Sequence, residues 1–116
     1  MSLTVYGIPN CDTVKKARAW LEREGVEYAF HDYKKEGADP ARLRRWIGQV
    51  GWETVLNRRG TTFRKLPEAE TADIDGDRAV AIMVAHPSAI RRPVVEYPGE
   101  LLVGFDEAAW RAALGA

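Results

Sequence analysis

The sequence predicts an α/β fold, a mixed four-stranded sheet flanked by helices, with a helical insertion. The prediction rests on three observations. A strand, a helix and a strand follow one another within the first third of the chain; a section with helical periodicity comes next; and two short apolar strands precede a last helix. A strand-helix-strand unit of about 30 residues has parallel strands and a right-handed crossover. A later hairpin joining that pair would make the sheet mixed.

The first strand covers Leu3 to Tyr6, a short run of β-branched and aromatic residues that leads into turn formers. From about Asp12 the apolar residues recur at helical spacing, and Gly25 stands where a left-handed residue would end the helix. The second strand is expected over Tyr28 to Tyr33, where the residues alternate between the two faces.

The central section is predicted to be helical. Asp39 and Pro40 form a start signal, and an apolar stripe follows as far as Gly51. We expect a short helix over Trp52 to Leu56, an irregular segment over Asn57 to Leu66, and a longer helix from Asp77 to about His86.

The last part of the chain is predicted to form a hairpin and a helix. Val94 and Val95 are expected to face Leu101 to Val103 across a turn. Asp106 is the predicted cap of the final helix, whose inward residues are Ala109, Trp110, Ala113 and Leu114. We therefore expect one domain over residues 1–116, with the helical insertion at about residues 38–86.

Composition excludes several classes of function. The 17 basic and 17 acidic residues of this 116-residue chain cancel, which argues against general nucleic-acid binding. The chain contains no run of about 18 apolar residues, the length that would suggest a membrane span. His31 and His86 are too far apart to form a metal motif, so we expect no metal site. Because a single cysteine cannot form an internal disulfide, the chain is expected to be cytoplasmic. We also expect a monomer.

Cys11 is the strongest candidate for chemistry. It lies where the first loop turns into the first helix, and the free N-H groups of a helix start stabilise a thiolate. A lower thiol pKa increases the population of the nucleophilic form. Thr13 could donate to the sulfur, Lys15 and Lys16 add positive charge, and the loop ending at Asn10 could let a partner approach. A small buried structural cysteine is the alternative interpretation.

Several strings give the chain a recognisable resemblance. YGIPNCDTVKK at Tyr6 to Lys16 is followed by HPSAIRRPVV at His86 to Val95, and between and after them come FHDYKKEG, NRRGTTFRKL and LVGF. In this order the strings resemble the arsenate reductase and Spx (ArsC-like) family of thioredoxin-like proteins, and especially its YffB-type branch of thiol reductases. The resemblance extends over nearly the whole chain.

The resemblance implies a thioredoxin-like sheet, a nucleophilic Cys11, a cis peptide bond before Pro93, and Arg92 directed toward the thiol. The family's arsenate reductases bind their oxyanion with three arginines, and here Asn57 and Gly104 stand at the other two positions. Gly7 replaces a histidine that some of them carry. These departures argue against arsenate reduction itself, because a multiply charged oxyanion favours several fixed cationic donors.

The expected function is a glutathione-dependent thiol/disulfide oxidoreductase. Val14 stands where dithiol relatives have a second cysteine, so an outside thiol must resolve any intermediate at Cys11, and glutathione is the abundant candidate, with glutaredoxin as a possible partner. No bound cofactor is expected. The alternatives are an Spx-like redox-sensing regulator that binds RNA polymerase, and arsenate reductase proper. The expected substrate- or glutathione-binding residues are Asn10, Thr13, Lys15, Arg58, Arg59 and Pro93.

Overall fold

The computed structural model describes residues 3–115, which form four strands and eight helices. The strands are β1 Thr4–Gly7, β2 Ala29–Asp32, β3 Val94–Tyr97 and β4 Glu100–Val103. The helices are α1 Asp12–Arg23, α2 Tyr33–Glu36, α3 Pro40–Val50, α4 Trp52–Val55, α5 Thr61–Arg64, α6 Glu68–Thr71, α7 Gly76–Ala85 and α8 Glu107–Leu114, and a 3-10 turn covers Pro87–Ala89.

The four strands form one mixed sheet in the order β2-β1-β3-β4. β1 runs parallel to β2 and antiparallel to β3, with Val5 opposite Phe30 on one side and Val95 on the other. The β3-β4 hairpin pairs Val95 with Leu102. The predicted mixed sheet, its parallel pair and its hairpin are therefore confirmed.

The chain divides into two compact units. One, the sheet unit, consists of residues 3–32 and 92–115; the other, the helical unit, is Tyr33–Arg91. The helical unit thus begins and ends a few residues outside the insertion expected at residues 38–86.

The core of the sheet unit lies on one sheet face, under α1 and α8. Helical spacing places the apolar residues of α1 on one side, and Trp20 and Leu21 are fully buried. Trp20, Phe105 and Trp110 form an aromatic cluster, with the rings of Phe105 and Trp110 4.9 Å apart and edge to face. The indole N-H of Trp110 donates to the carbonyl of Gly104 at 3.0 Å, which fixes the position of α8.

The predicted start of α3 is confirmed, and that of α7 is wrong by two residues. Asp39 accepts a hydrogen bond from the backbone N-H of Ala41 at 3.1 Å, directly before Pro40. In α7 the N-cap is Asp75, whose Oδ1 accepts from the N-H of Arg78 at 2.8 Å. Asp77 lies in the first turn instead, because a cap must stand outside the helix to reach its free N-H groups.

Three other expectations need correction. Tyr33 does not end the second strand but begins α2, and the segment Asn57 to Leu66 contains the short helix α5. Of the four residues expected to face inward on α8, Ala109 and Ala113 are exposed and Leu114 is half-buried. Trp110 is the buried residue of α8, and Leu114 packs against the same core from a partly buried position.

Within residues 3–115, no helix is long and apolar enough to cross a membrane. The same residues contain no group of three or more histidine, cysteine, aspartate or glutamate side chains placed to hold a metal ion.

Candidate active site

Cys11 is the N-cap residue of α1. Its backbone is extended (φ −138°, ψ 125°), and its carbonyl accepts the first hydrogen bond of the helix, from the N-H of Lys15 at 2.9 Å. The thiol does not form a regular capping hydrogen bond. Its sulfur is nonetheless close enough to the N-H groups of Val14 and Thr13 for both to stabilise a thiolate.

Strand pairing brings Arg92 to the same edge of the sheet as Cys11. Because β1 and β3 are antiparallel, the end of β1 lies beside the start of β3, with Tyr6 opposite Val94. The loop to Cys11 leaves that end of β1, and Arg92 directly precedes the start of β3. The Arg92-Pro93 peptide bond is cis, as the family resemblance implied. The buried Pro93 is tied to the hairpin by its carbonyl, which accepts from the N-H of Gly104 at 2.8 Å.

Opposing effects act on the pKa of Cys11, and the net result is a pKa below the ordinary thiol value. Partial burial is the largest single effect and raises the pKa, because it disfavours the charged form. The backbone N-H of Val14, a hydrogen bond from Arg92, the positive charge of Arg92 and the N-H of Thr13 together outweigh it. The thiol is half-buried, so the sulfur is within reach of a substrate.

The structure separates the predicted site residues into three sets. It brings Arg92 and the backbone N-H of Thr13 to the sulfur of Cys11, and Pro93 directly follows Arg92 in the same sheet unit. Lys15 is exposed on α1 and is not among the groups that shift the pKa of Cys11, and Asn10 is exposed in the preceding loop. The other two residues, Arg58 and Arg59, belong to the helical unit, in the segment after α4.

The backbone N-H groups that stabilise the Cys11 thiolate were predicted only as free N-H groups of a helix start, without assignment to particular residues. The N-H groups of Thr13 and Val14 act through the backbone, so no side-chain type identifies them. The only sequence signal for them is the helix start at Asp12, which leaves the N-H groups of the next residues unpaired.

The three departures from the arsenate reductase pattern each have a structural counterpart. A Cβ atom at Gly7 would lie 2.9 Å from Cγ2 of Val14, so the larger histidine would not fit without displacing that side chain. Asn57 Oδ1 accepts from the N-H of Arg59 at 3.2 Å and so shapes its own loop. Gly104 has φ 79°, a left-handed conformation that strains any larger residue, arginine included.

Comparison with known proteins identifies the family. The ArsC family pattern matches residues 6–113, nearly the whole chain. The chain belongs to the ArsC family.

Two relatives with different names match nearly the whole chain. An uncharacterised protein of Haemophilus influenzae is 40% identical over 111 residues, covering 96% of this chain and 97% of its own. The global transcriptional regulator Spx of Streptococcus mutans is 26% identical over 114 residues, covering 97% of this chain and 82% of its own.

Two solved structures are similar over at least 97% of each chain. The structure of a protein called YFFB is 56% identical, with a TM-score of 0.95, and the match covers 97% of this chain and 98% of that one. The solution structure of an arsenate reductase-related protein from Brucella melitensis is 53% identical, with a TM-score of 0.78, and the match covers 100% and 97% of the two chains. The fold is therefore the thioredoxin-like fold of the ArsC family, as the sequence predicted.

Proposed function

We propose that this ArsC-family chain is a single-cysteine thiol/disulfide oxidoreductase in which Cys11 is the nucleophile and glutathione the reductant. The observation that carries the proposal is the lowered pKa of a half-buried thiol held between helix N-H groups and Arg92. A cysteine that only packs in a core does not require a guanidinium group beside its sulfur. A nucleophilic cysteine requires the thiolate that this group stabilises.

The proposed cycle has two exchange steps. In the first, the Cys11 thiolate attacks the glutathione sulfur of a mixed disulfide, forms a Cys11-glutathione disulfide and releases the substrate thiolate, which takes a proton from water. In the second, the thiolate of another glutathione attacks the glutathione sulfur of that intermediate. Oxidised glutathione leaves and the Cys11 thiolate is regenerated. The net reaction converts the mixed disulfide and one reduced glutathione into the substrate thiol and oxidised glutathione.

The need for an outside thiol follows from the cysteine count. Cys11 is the one cysteine of the chain, and Val14, at the place of a second thiol, is fully buried. Glutathione is the abundant thiol of reducing compartments, which makes the cytoplasm the proposed location. Arg92 would stabilise the anionic sulfur at each exchange, and glutaredoxin would be an alternative reductant of the intermediate.

An Spx-like regulatory role is the alternative, supported by the Spx name of the Streptococcus mutans relative. In that case Cys11 would be oxidised and reduced without steady turnover, and the chain would bind RNA polymerase. Arsenate reduction is less well supported, because Asn57 and Gly104 replace two of the three arginines that the family's arsenate reductases carry.

Mass spectrometry combined with a turnover assay tests the proposal. Oxidised glutathione should add the mass of one glutathione to the wild type, and excess reduced glutathione should remove it. Cys11→Ser, the matched control, should fold normally and gain no mass. Turnover of a glutathionylated peptide should be abolished in the same variant. An adduct without turnover would favour the regulatory role, and no adduct on a reactive Cys11 would refute the glutathione assignment.

A further inference from the structure

The helical unit contains a cleft whose lining is unusually rich in arginine. It has a volume of about 390 Å³ and is lined by Glu53, Leu56, Arg58, Arg59 and Arg91. Leu56, the apolar residue of the lining, is fully buried. Three guanidinium groups against one carboxylate leave a local charge of about +2, although the chain as a whole is neutral.

Two of the three arginines are held in place by contacts that leave donors available. The guanidinium of Arg58 lies 5.2 Å from the ring centroid of Trp52 and 3.6 Å from Oε2 of Glu53, and its side chain is 49% exposed. Arg91 donates through Nε to the carbonyl of Thr54 at 3.0 Å. That bond orients the planar group, and its two terminal nitrogens form no hydrogen bond or ion pair with other residues of the described chain.

The backbone under these side chains is fixed as well. The N-H of Arg91 donates to the carbonyl of Val55 at 2.8 Å, and Leu56 and Ile90 form an antiparallel bridge. The third arginine, Arg59, follows a turn that the side chain of Asn57 closes. Its guanidinium has no partner among residues 3–115, so the cleft contains an uncommitted, always charged donor group.

We propose that this cleft is a binding site for a small ligand carrying two negative charges on oxyanion groups, either paired carboxylates or a phosphate. Planar guanidinium groups donate two parallel hydrogen bonds to such groups, and a charge of −2 matches the excess of the lining. Binding requires no reaction at Cys11. The proposal therefore goes beyond the redox function and remains testable if that function is wrong.

The experiment uses the Cys11→Ser protein labelled with nitrogen-15, in which no covalent adduct can form. Amide spectra are recorded during titration with inorganic phosphate, with succinate and with S-methylglutathione, each at constant ionic strength. We expect saturable shifts of the amides of Arg59, Gly60 and Arg91 with at least one of the three. Each of Arg59→Ala and Arg91→Ala should weaken that binding about tenfold, the effect of losing a hydrogen bond to a charged group.

The control is Lys65→Ala, which removes one positive charge from an exposed residue of the same segment but outside the cleft. It should leave the affinity unchanged within about twofold. Saturation by S-methylglutathione would make the cleft a glutathione-carboxylate site; saturation by phosphate or succinate alone would assign it to a separate ligand. Linear shifts with all three probes, or equal weakening by Lys65→Ala, would overturn the proposal.

Discussion

At the residue scale, Cys11 combines a burial effect that disfavours its thiolate with three neighbours that favour it. The neighbours are the N-H groups of Thr13 and Val14 and the guanidinium of Arg92, and together they outweigh burial, so that the pKa is lowered. A thiol that ionises more readily in the folded state than in the unfolded chain couples the stability of the protein to pH.

The free energy of unfolding should therefore show a pH dependence that Cys11→Ser lacks. The pKa of Cys11 is lower in the folded state, so the folded state loses its proton first as the pH rises. The stabilisation is fully present above the unfolded pKa of roughly 8.5 and is lost as the pH falls through the folded value. Denaturant titrations of both proteins across this window measure it. A difference between them that is flat, or that falls with rising pH, would contradict the lowered pKa.

Arg92→Lys should reduce turnover even though it keeps the positive charge. Lysine lacks the planar fork of arginine, and losing one charge-assisted hydrogen bond to the sulfur corresponds to about tenfold in rate. Turnover of a glutathionylated peptide measures the effect. Arg23→Lys, at the exposed end of α1, is the control and should be neutral. Equal turnover in both variants would mean that only the charge of Arg92 matters.

At the element scale, short capping interactions decide where the helices begin. The sequence signals at Asp39, Cys11 and Asp106 predicted these starts correctly, because one side chain or one turn determines each. The start of α7 was predicted wrongly at Asp77, because three aspartates, Asp73, Asp75 and Asp77, lie close together around Gly76. Only the three-dimensional arrangement shows which of them reaches a free N-H group.

Asp75→Ala should destabilise the protein by about 1 kcal/mol, the usual effect of losing an N-cap side chain. Asp77→Ala is the matched control. Asp77 makes an ion pair with Arg44 at 2.9 Å, but both side chains are more than half exposed, and such pairs contribute little. Urea unfolding of the two variants measures the difference. A larger loss of stability in Asp77→Ala than in Asp75→Ala would contradict this assignment and favour Asp77 as the N-cap, as the sequence predicted.

The close approach of β1 and α1 depends on Gly7. A Cβ atom there would lie 2.9 Å from the stiff, branched side chain of Val14. Gly7→Ala should therefore destabilise the protein by about 1 to 3 kcal/mol, the usual effect of overpacking.

The double variant Gly7→Ala/Val14→Ala tests whether this contact is the cause. Removing the two methyl groups of Val14 makes room for the new Cβ atom, so Gly7→Ala should cost less in the Val14→Ala background than in the wild type. The four unfolding free energies form a double-mutant cycle. Additive effects would exclude the contact as the source of the strain.

At the scale of the whole molecule, the sheet was predictable and the arrangement within the helical section was not. Alternation and turn residues specify short strands such as Val94–Tyr97, and the strand-helix-strand order specifies their parallel pairing. The short helices over Thr61–Arg64 and Glu68–Thr71 have no buried residues, so no apolar periodicity revealed them.

The candidate site, too, could be predicted only in part from the sequence. Cys11 could be found from its place at a helix start, and the roles of Arg92 and Pro93 came from the family resemblance. Nothing in the local sequence linked Arg91 to Arg58 and Arg59, because residues far apart in the chain line the same cleft only after folding. Long-range pairs of this kind lie outside what periodicity can predict.

The central claim is that Cys11 is a stabilised thiolate nucleophile, and the rate of alkylation by iodoacetamide as a function of pH tests it most directly. The wild type should give a single titration with a midpoint below the roughly 8.5 of a free cysteine, and Arg92→Ala should move that midpoint upward. A wild-type midpoint at or above the free value, or one that Arg92→Ala leaves unchanged, would contradict the account.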